Sequence, residues 1–305
     1  MASSYRITAP ASTSNLGPGF DTLGLALSLG LRLTLTPDSP NGFGVDLRGE
    51  GKGVLPEDHR NWIIKTARTI AGDAVDRANW ELSSRIPVAR GLGSSAAATA
   101  VGLAAGYLLR DGQPAPRHVI FDGVVRVENH PDNAAATVFG GFRVGSRTSG
   151  GDWQTTPAVL PSSDFRVLIV TPDRPVQTQY ARSILPRQYS RSAVVRNIQN
   201  VGTLLSGFAR GDWDAVRRGC IDHLHEPYRL PLVAGLEEAL ASLRGRPEVY
   251  GAYLSGAGPA LAAFLPDLNT STDVADEAIE LLRVRGTAAS AFLAEVHLEG
   301  LTVES

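Results

Sequence analysis

Lysine is nearly missing from this chain. Lys52 and Lys65 are the only two among 29 basic residues, the rest being arginines. Any phosphate loop here must therefore work without the lysine of the Gly-Lys-Ser/Thr type. Cysteine occurs once, at Cys220, which excludes an intramolecular disulfide and a cysteine-cluster metal site. A lone thiol of this kind is expected to be a small buried hydrophobe. No sign of charge is in excess: 29 basic residues face 31 acidic ones, a net charge of -2. No global field draws the chain to nucleic acid or to an anionic membrane, so neither is expected as a partner. Long apolar runs are also lacking. Nothing approaches the roughly 18 uninterrupted apolar residues of a membrane span, and the first dozen residues hold no apolar signal segment. The expected location is cytoplasmic.

What is there is the material of a core. Of 305 residues, 43% are hydrophobic and 20% charged, the composition of a folded protein of one large domain or two ordinary ones. Tyr5 to Thr8 alternates as a strand that Pro10 is expected to break, and Leu23 to Leu35 is a long second strand ended by Pro37 to Pro40. Asn61 to Ala74 has helical spacing in Ile63, Ile64, Ala67 and Ile70. A strand over 80–86, a glycine-serine turn, an alanine-rich helix over 96–109, a helix over 118–127 and a strand over 137–144 follow. Ser146 to Asp164 reads as loop. The second half opens with a strand over 165–171. Helices are expected over 177–185, 190–210, 213–223, 233–243 and 272–285, with strands over 249–255, 260–265 and 289–298. The mixture predicts an α+β protein of two domains, 1–155 and 156–305.

The segment from Ile86 to Ala98 carries the most chemistry. A strand runs into Gly91-Leu92-Gly93-Ser94-Ser95, and that turn runs into a helix. Gly91 and Gly93 permit positive φ and close approach of a ligand to the backbone. Unpaired N–H groups at the helix start form an anion site strengthened by the helix dipole. Ser94 and Ser95 can cap the helix or offer a hydroxyl to magnesium. Glycine spacing alone fits a plain serine-capped turn equally well. The string is neither a Walker A motif nor a dinucleotide fingerprint.

The segment resembles the second signature of the GHMP kinase superfamily. Two more strings, in the family's order, strengthen the likeness: Asn15-Leu16-Gly17-Pro18-Gly19-Phe20-Asp21 near the start, and Ser255-Gly256-Ala257-Gly258-Pro259 near the end. The resemblance runs from residue 5 to about residue 298. It implies a two-domain GHMP fold, with an S5-like first domain and a ferredoxin-like second one. ATP is then the co-substrate, bound by Pro87, Val88, Ala89, Arg90, Gly91, Leu92, Gly93, Ser94, Ser95, Ala96 and Ala97. Asn61 is placed near the adenine, and Gly256 and Gly258 close over the phosphates. Mg²⁺ is assigned to Ser95 and Asp122, the acid that lies eleven positions before Asn133 on the preceding helix. A homodimer is also implied.

Within the superfamily, His130-Pro131-Asp132-Asn133, Thr178 to Pro186 and Asp222 to Arg229 are similar to homoserine kinases. That likeness predicts ATP-dependent phosphorylation of the homoserine hydroxyl, a step of threonine biosynthesis. An amino-acid substrate suits these residues. Arg182 and Arg229 can grip a carboxylate, Asp21 can meet an ammonium, and Thr178 lies beside them. Asn15 and Asn133 can place the hydroxyl and join Asp122 as the catalytic set. No strong base stands in the matched motifs, and His130 reads as structural. The alternatives are a GHMP kinase for mevalonate, shikimate or a cytidyl-linked alcohol, or a non-catalytic protein of the same fold. Asp21, Arg182 and Arg229 argue against the first, and the intact glycine-serine loop against the second.

Overall fold

The structure, a computed structural model, describes residues 4–161, 165–266 and 271–305. Its strands are β1 (Tyr5–Asn15), β2 (Gly19–Thr36), β3 (Gly44–Gly49), β4 (Asn79–Ser84), β5 (Phe142–Arg147), β6 (Trp153–Pro157), β7 (Arg166–Pro172), β8 (Gly251–Leu254), β9 (Leu261–Leu265), β10 (Ala289–Ala294) and β11 (Thr302–Glu304). Its helices are α1 (Trp62–Ala71), α2 (Ser94–Asp111), α3 (Arg117–Glu128), α4 (Asp132–Phe139), α5 (Thr178–Ser183), α6 (Arg191–Arg210), α7 (Trp213–Gly219), α8 (Glu226–Arg229), α9 (Leu236–Gly245) and α10 (Ser271–Val284). None of the helices among the described residues is long and apolar enough to cross a membrane.

The first sheet runs β11-β1-β2-β4-β3, and β2 also pairs with β5, which pairs with β6. The long β1–β2 ladder is antiparallel and buried along most of its length. Pro10 does not end β1. The strand continues past it through a register shift between Pro10 and Ala11, a place where a missing N–H is tolerated. Helices α1 to α4 cover the sheet, with α2 against β1 and β2 and flanked by α1 and α3. The small residues of α2 allow this close packing: a Cβ at Gly102 would lie 2.6 Å from the Ile63 carbonyl oxygen.

The second sheet, β10-β7-β9-β8, is antiparallel throughout. Alternation along β7 sorts its two faces. Leu168 and Val170 pack with Leu236, Leu240 and Leu282 of α9 and α10. Val167 and Ile169 turn the other way, into a core shared with Phe142, Phe208 and Phe264. The fold is α+β with two domains, as expected, and this shared core joins them.

Several elements differ from the sequence reading. The 146–164 stretch expected as loop contains the end of β5 and all of β6, a hairpin; residues 162–164 of it lie outside the described residues. A cut after residue 155 would pass through β6, and β11 pairs with β1 in the first sheet. The strand expected from Thr137 is helix α4 as far as Phe139, and it becomes strand only from Phe142. The helix expected to reach His223 ends at Gly219.

Helix α4 matters because its start carries site residues, and it rests directly on β2. A Cβ at Gly24 would lie 2.1 Å from the Asp132 carbonyl oxygen. Gly24→Ala is therefore expected to cost about 1–3 kcal/mol, in the range for overpacking. Urea denaturation measures this, and an unchanged midpoint would show that α4 yields freely.

Candidate active site

The glycine loop ahead of α2 forms as its glycines require. Gly91 and Gly93 have φ of 78° and 70°. Gly93 is the N-cap of α2 and no side chain caps the helix. The first intrahelical bond runs from the Ala97 N–H to the Gly93 carbonyl at 2.9 Å. The N–H groups of Ser94, Ser95 and Ala96 precede it, and all three residues line a cavity of about 330 Å³. This is a helix N-terminus free to take an anion.

The third glycine string presses on the first loop. Ser255 Oγ donates to the Gly91 carbonyl at 2.7 Å, and the Ala260 N–H donates to the Arg90 carbonyl at 3.1 Å. A Cβ at Gly91 would sit 2.2 Å from the Ser255 carbonyl oxygen, so only glycine permits the contact. Gly256 and Ala257 then line the cavity opposite Gly91 and Gly93.

The acid at this site is not Asp122. Helix α3 turns Ile120, Phe121, Val124 and Val125 to the core, which leaves Asp122 exposed and absent from the cavity wall. Glu128, at the C-terminal end of α3, lines the cavity instead. Its Oε1 accepts from Ser95 Oγ at 2.5 Å. Asp122, expected to hold the metal, therefore lies away from this cavity, and Glu128 is the acid beside Ser95. The paired hydroxyl and carboxylate, both hard oxygen donors, fit a magnesium ion.

The far end of the same cavity holds the charged groups. Asn15, Asp21, Asn133, Thr178, Arg182 and Arg229 all line it. Asn15 and Asp21 both have positive φ, 70° and 53°. The turn is held because Asn15 Nδ2 donates to the Gly256 carbonyl at 2.9 Å and its Oδ1 accepts from the Asp21 N–H at 3.2 Å. Arg182 grips Asp21 with both terminal nitrogens, at 2.6 and 3.0 Å. Arg229 is buried. It donates to the carbonyls of Ala181 and Gly256 at 3.1 and 3.0 Å, and no acid pairs with it among the described residues. Burial, followed by repulsion from Arg182, pushes its pKa down to about 10. Asn133 donates to Ser14 Oγ at 3.0 Å and accepts from Ser12 Oγ at 2.9 Å.

His130 and Asp132 form a buried pair through Nδ1. Burial disfavours the imidazolium, but the Asp132 carboxylate outweighs it and the His130 pKa lies above its ordinary value. Asp132 also accepts the Asn133 N–H at 2.7 Å. The pair therefore fixes the turn that presents Asn133, and His130 itself lines the cavity with its Nε2 3.7 Å from a Glu128 oxygen.

A second cavity of about 160 Å³ adjoins the first, sharing Leu55, Trp62, Val88, Ser94 and Ala98 with it. Asn61 lines this one. Its side chain is committed to capping α1, accepting from the Ile63 N–H at 3.0 Å and donating to the Pro56 carbonyl at 2.8 Å. Pro87, Ala97 and Gly258 line neither cavity.

Comparison with known proteins agrees with this arrangement. Residues 61–141 match the GHMP kinases N terminal domain, and residues 204–283 match the GHMP kinases C terminal domain. The homoserine kinase of Deinococcus radiodurans is 36% identical over 263 residues, covering 85% of this chain and 84% of its own. That of Synechocystis sp. is 31% identical over 98% of both chains. The chain belongs to the homoserine kinase family of GHMP kinases. The crystal structure of homoserine kinase from Cytophaga hutchinsonii superimposes with a TM-score of 0.84, at 26% identity, over 100% of this chain and 98% of the other. As a GHMP kinase the chain uses ATP as co-substrate.

For a homoserine kinase, the sequence reading had overlooked Glu128, Ser12, Ser14 and Trp62. Glu128 had a signal, since it stands two positions before His130 in the same motif. The serines of β1 had none, because their partner Asn133 is more than a hundred residues away.

The tightest point in the loop is Gly93, where a Cβ would lie 2.0 Å from Ser12 Oγ and 3.2 Å from Asn133 Oδ1. Gly93→Val is expected to abolish ATP binding in a chain that still folds. Titration calorimetry with a non-hydrolysable ATP analogue checks this, with circular dichroism as the folding control. Near-normal affinity would remove the loop from the nucleotide site.

Proposed function

We propose that this chain transfers the γ-phosphoryl group of ATP to the side-chain hydroxyl of L-homoserine, giving O-phospho-L-homoserine for threonine biosynthesis. One observation carries the reading. A buried arginine with no acidic partner among the described residues, Arg229, lines the same cavity as Asp21 and as an uncapped helix N-terminus. A cation left unpaired in a site of low dielectric calls for an anion. The homoserine carboxylate answers Arg229, and its ammonium meets Asp21, which Arg182 shares. A neutral sugar would leave Arg229 unanswered, and an acid without an amine would make no use of Asp21.

The triphosphate belongs at the α2 N-terminus, with the adenine in the smaller cavity between Leu31, Leu47, Leu55, Trp62 and Val88. Phosphoryl transfer asks mainly for positioning and charge neutralisation. Asn15 and Asn133, themselves held by Gly256 and Ser14, set the substrate hydroxyl against the phosphate end of the cavity. Neither amide can take its proton, so the proton leaves late, to phosphate or water. Mg²⁺, for which Ser95 and Glu128 are the fitting donors, supplies neutralisation of phosphate charge when bound. A cytoplasmic location and a homodimer accompany this reading. Val194, Val195 and Ile198, exposed on α6, offer a face for the second.

Two sets of variants test the assignment, after a panel of hydroxyl-bearing metabolites has been assayed for ATP consumption with homoserine among them. Arg229→Ala should cost about 2–5 kcal/mol of substrate binding, the range for truncating a buried charge contact. The homoserine KM should rise roughly thirtyfold to several thousandfold, while the KM for ATP stays near its starting value. Equal losses for both substrates would make Arg229 a phosphate ligand instead.

Glu128→Gln should lower kcat and shift the magnesium titration to higher concentration. Asp122→Asn, on the exposed face of α3, should leave that titration in place. The reverse pattern would restore Asp122 as the metal residue.

A further inference from the structure

The two arginines of the substrate end have one neighbour in common that is neither an acid nor a carbonyl. The guanidinium carbons of Arg229 and Arg182 lie over the ring of Phe20, at 5.2 and 5.7 Å from its centroid. Phe20 does not line the cavity. It sits between Gly19 and Asp21, in the turn whose positive-φ residues include Asn15, Leu16 and Asp21. Its ring is itself held. The His225 ring stacks on it with centroids 5.4 Å apart and planes 27° from parallel.

His225 is fixed in turn. Its Nε2 lies 3.0 Å from the Gly17 carbonyl oxygen, which can only accept, so Nε2 carries the proton. The other nitrogen, Nδ1, then faces Arg229 Nη1 as an acceptor at 3.5 Å. Asp222 closes this arrangement, accepting the N–H groups of Leu224, His225 and Glu226 at 2.9, 2.6 and 2.8 Å. A chain of contacts thus runs from a buried carboxylate through His225 to one aromatic ring, and from that ring to both cations.

Two guanidiniums converging on one small site repel each other. Asp21 neutralises Arg182, but no acid among the described residues pairs with Arg229. A phenyl face carries partial negative charge and attracts cations without offering an acceptor that would compete with the substrate for hydrogen bonds. We propose that Phe20 is a positioning residue for the substrate: its ring, braced by His225, holds Arg182 and Arg229 together as one carboxylate receptor. A carboxylate or amide there would satisfy Arg229 and close the receptor. An aliphatic side chain would fill the space and leave the two charges unrestrained. This rests on the reading that the cavity takes the zwitterionic amino acid.

The test separates ring electrostatics from packing. Phenylalanine at position 20 is replaced by its mono-, di- and trifluorinated analogues, which weaken the negative ring face stepwise at nearly constant shape. Phe20→Leu is made in parallel. Steady-state kinetics are read for both substrates. Homoserine KM should climb with each added fluorine and rise on the order of tenfold in the leucine variant. The KM for ATP should hold, and kcat should fall less than homoserine KM rises. A flat fluorine series overturns the proposal even if Phe20→Leu is impaired, because the ring would then act by volume alone. A parallel rise in both KM values overturns it too, since the whole turn would have been disturbed. Turnover of homoserine by the unaltered chain is the control that stands apart. Its absence would remove the substrate reading, and this proposal with it, whereas a flat series beside normal turnover removes only the role given to Phe20.

Discussion

Everything in the site depends on two glycine loops touching. The Gly91 backbone lies against the backbone of Ser255 so closely that a single methyl group would part them. Because the loops come from different sheets, that contact sets the width of the cleft. It also places the helix N-terminus of α2 at a fixed distance from Gly256. The Gly256 carbonyl in turn accepts from both Asn15 and Arg229. One backbone approach thus positions the helix N-terminus and the charged cluster of the cavity together. Side-chain contacts could not do this with the same economy, since each would add rotamer freedom to the gap.

Charge is arranged around this contact with opposite solutions at the two ends. At the α2 N-terminus the acid lining the wall is Glu128, hydrogen-bonded to Ser95. Positive potential there comes from backbone N–H groups and from Arg90, which lines the wall too, and not from lysine, which the chain hardly uses. At the other end full charges converge: Asp21 with Arg182, His130 with Asp132, and Arg229 on two carbonyl oxygens, the His225 ring nitrogen and the Phe20 face. Buried ions are costly unless matched. Their concentration in a single cavity is therefore a strong mark of selection for binding, more than for stability.

Much of this was legible in the sequence, and the reason is conformational. Gly91, Gly93, Gly256 and Asn15 stand where the backbone takes shapes that other residues resist, so their spacing survives as readable strings. The long, regular elements were legible too, since α6 and the β1–β2 pair carry clear periodicity. Short elements were not. The last turn of helix α4 reads as strand because Thr137 and Val138 favour strands locally, and the helix's packing on β1 and β2 overrides that preference. Strand β6 is partly exposed and polar and exists through its pairing with β5. Asp122 was misplaced because counting back from Asn133 ignores helical phase, which turns it outward and brings Glu128 inward. The pairing of Asp21 with Arg182 spans 161 positions and leaves no local trace.

The place of β11 has a consequence for how the protein is made. Strand β1 is the first strand of the described chain, and its outer edge is covered by the last, with Arg6 bonded to Glu304 across 298 positions. At roughly 5–20 residues per second, that edge waits on the order of 15–60 s during synthesis for its partner. An uncovered edge is an invitation to pair with another chain. A charge at Arg6 and a proline at Pro10 are the blunting features such an interval calls for. Strand β11 thus closes one flank of a sheet toward whose other flank β4 leads into the glycine loop.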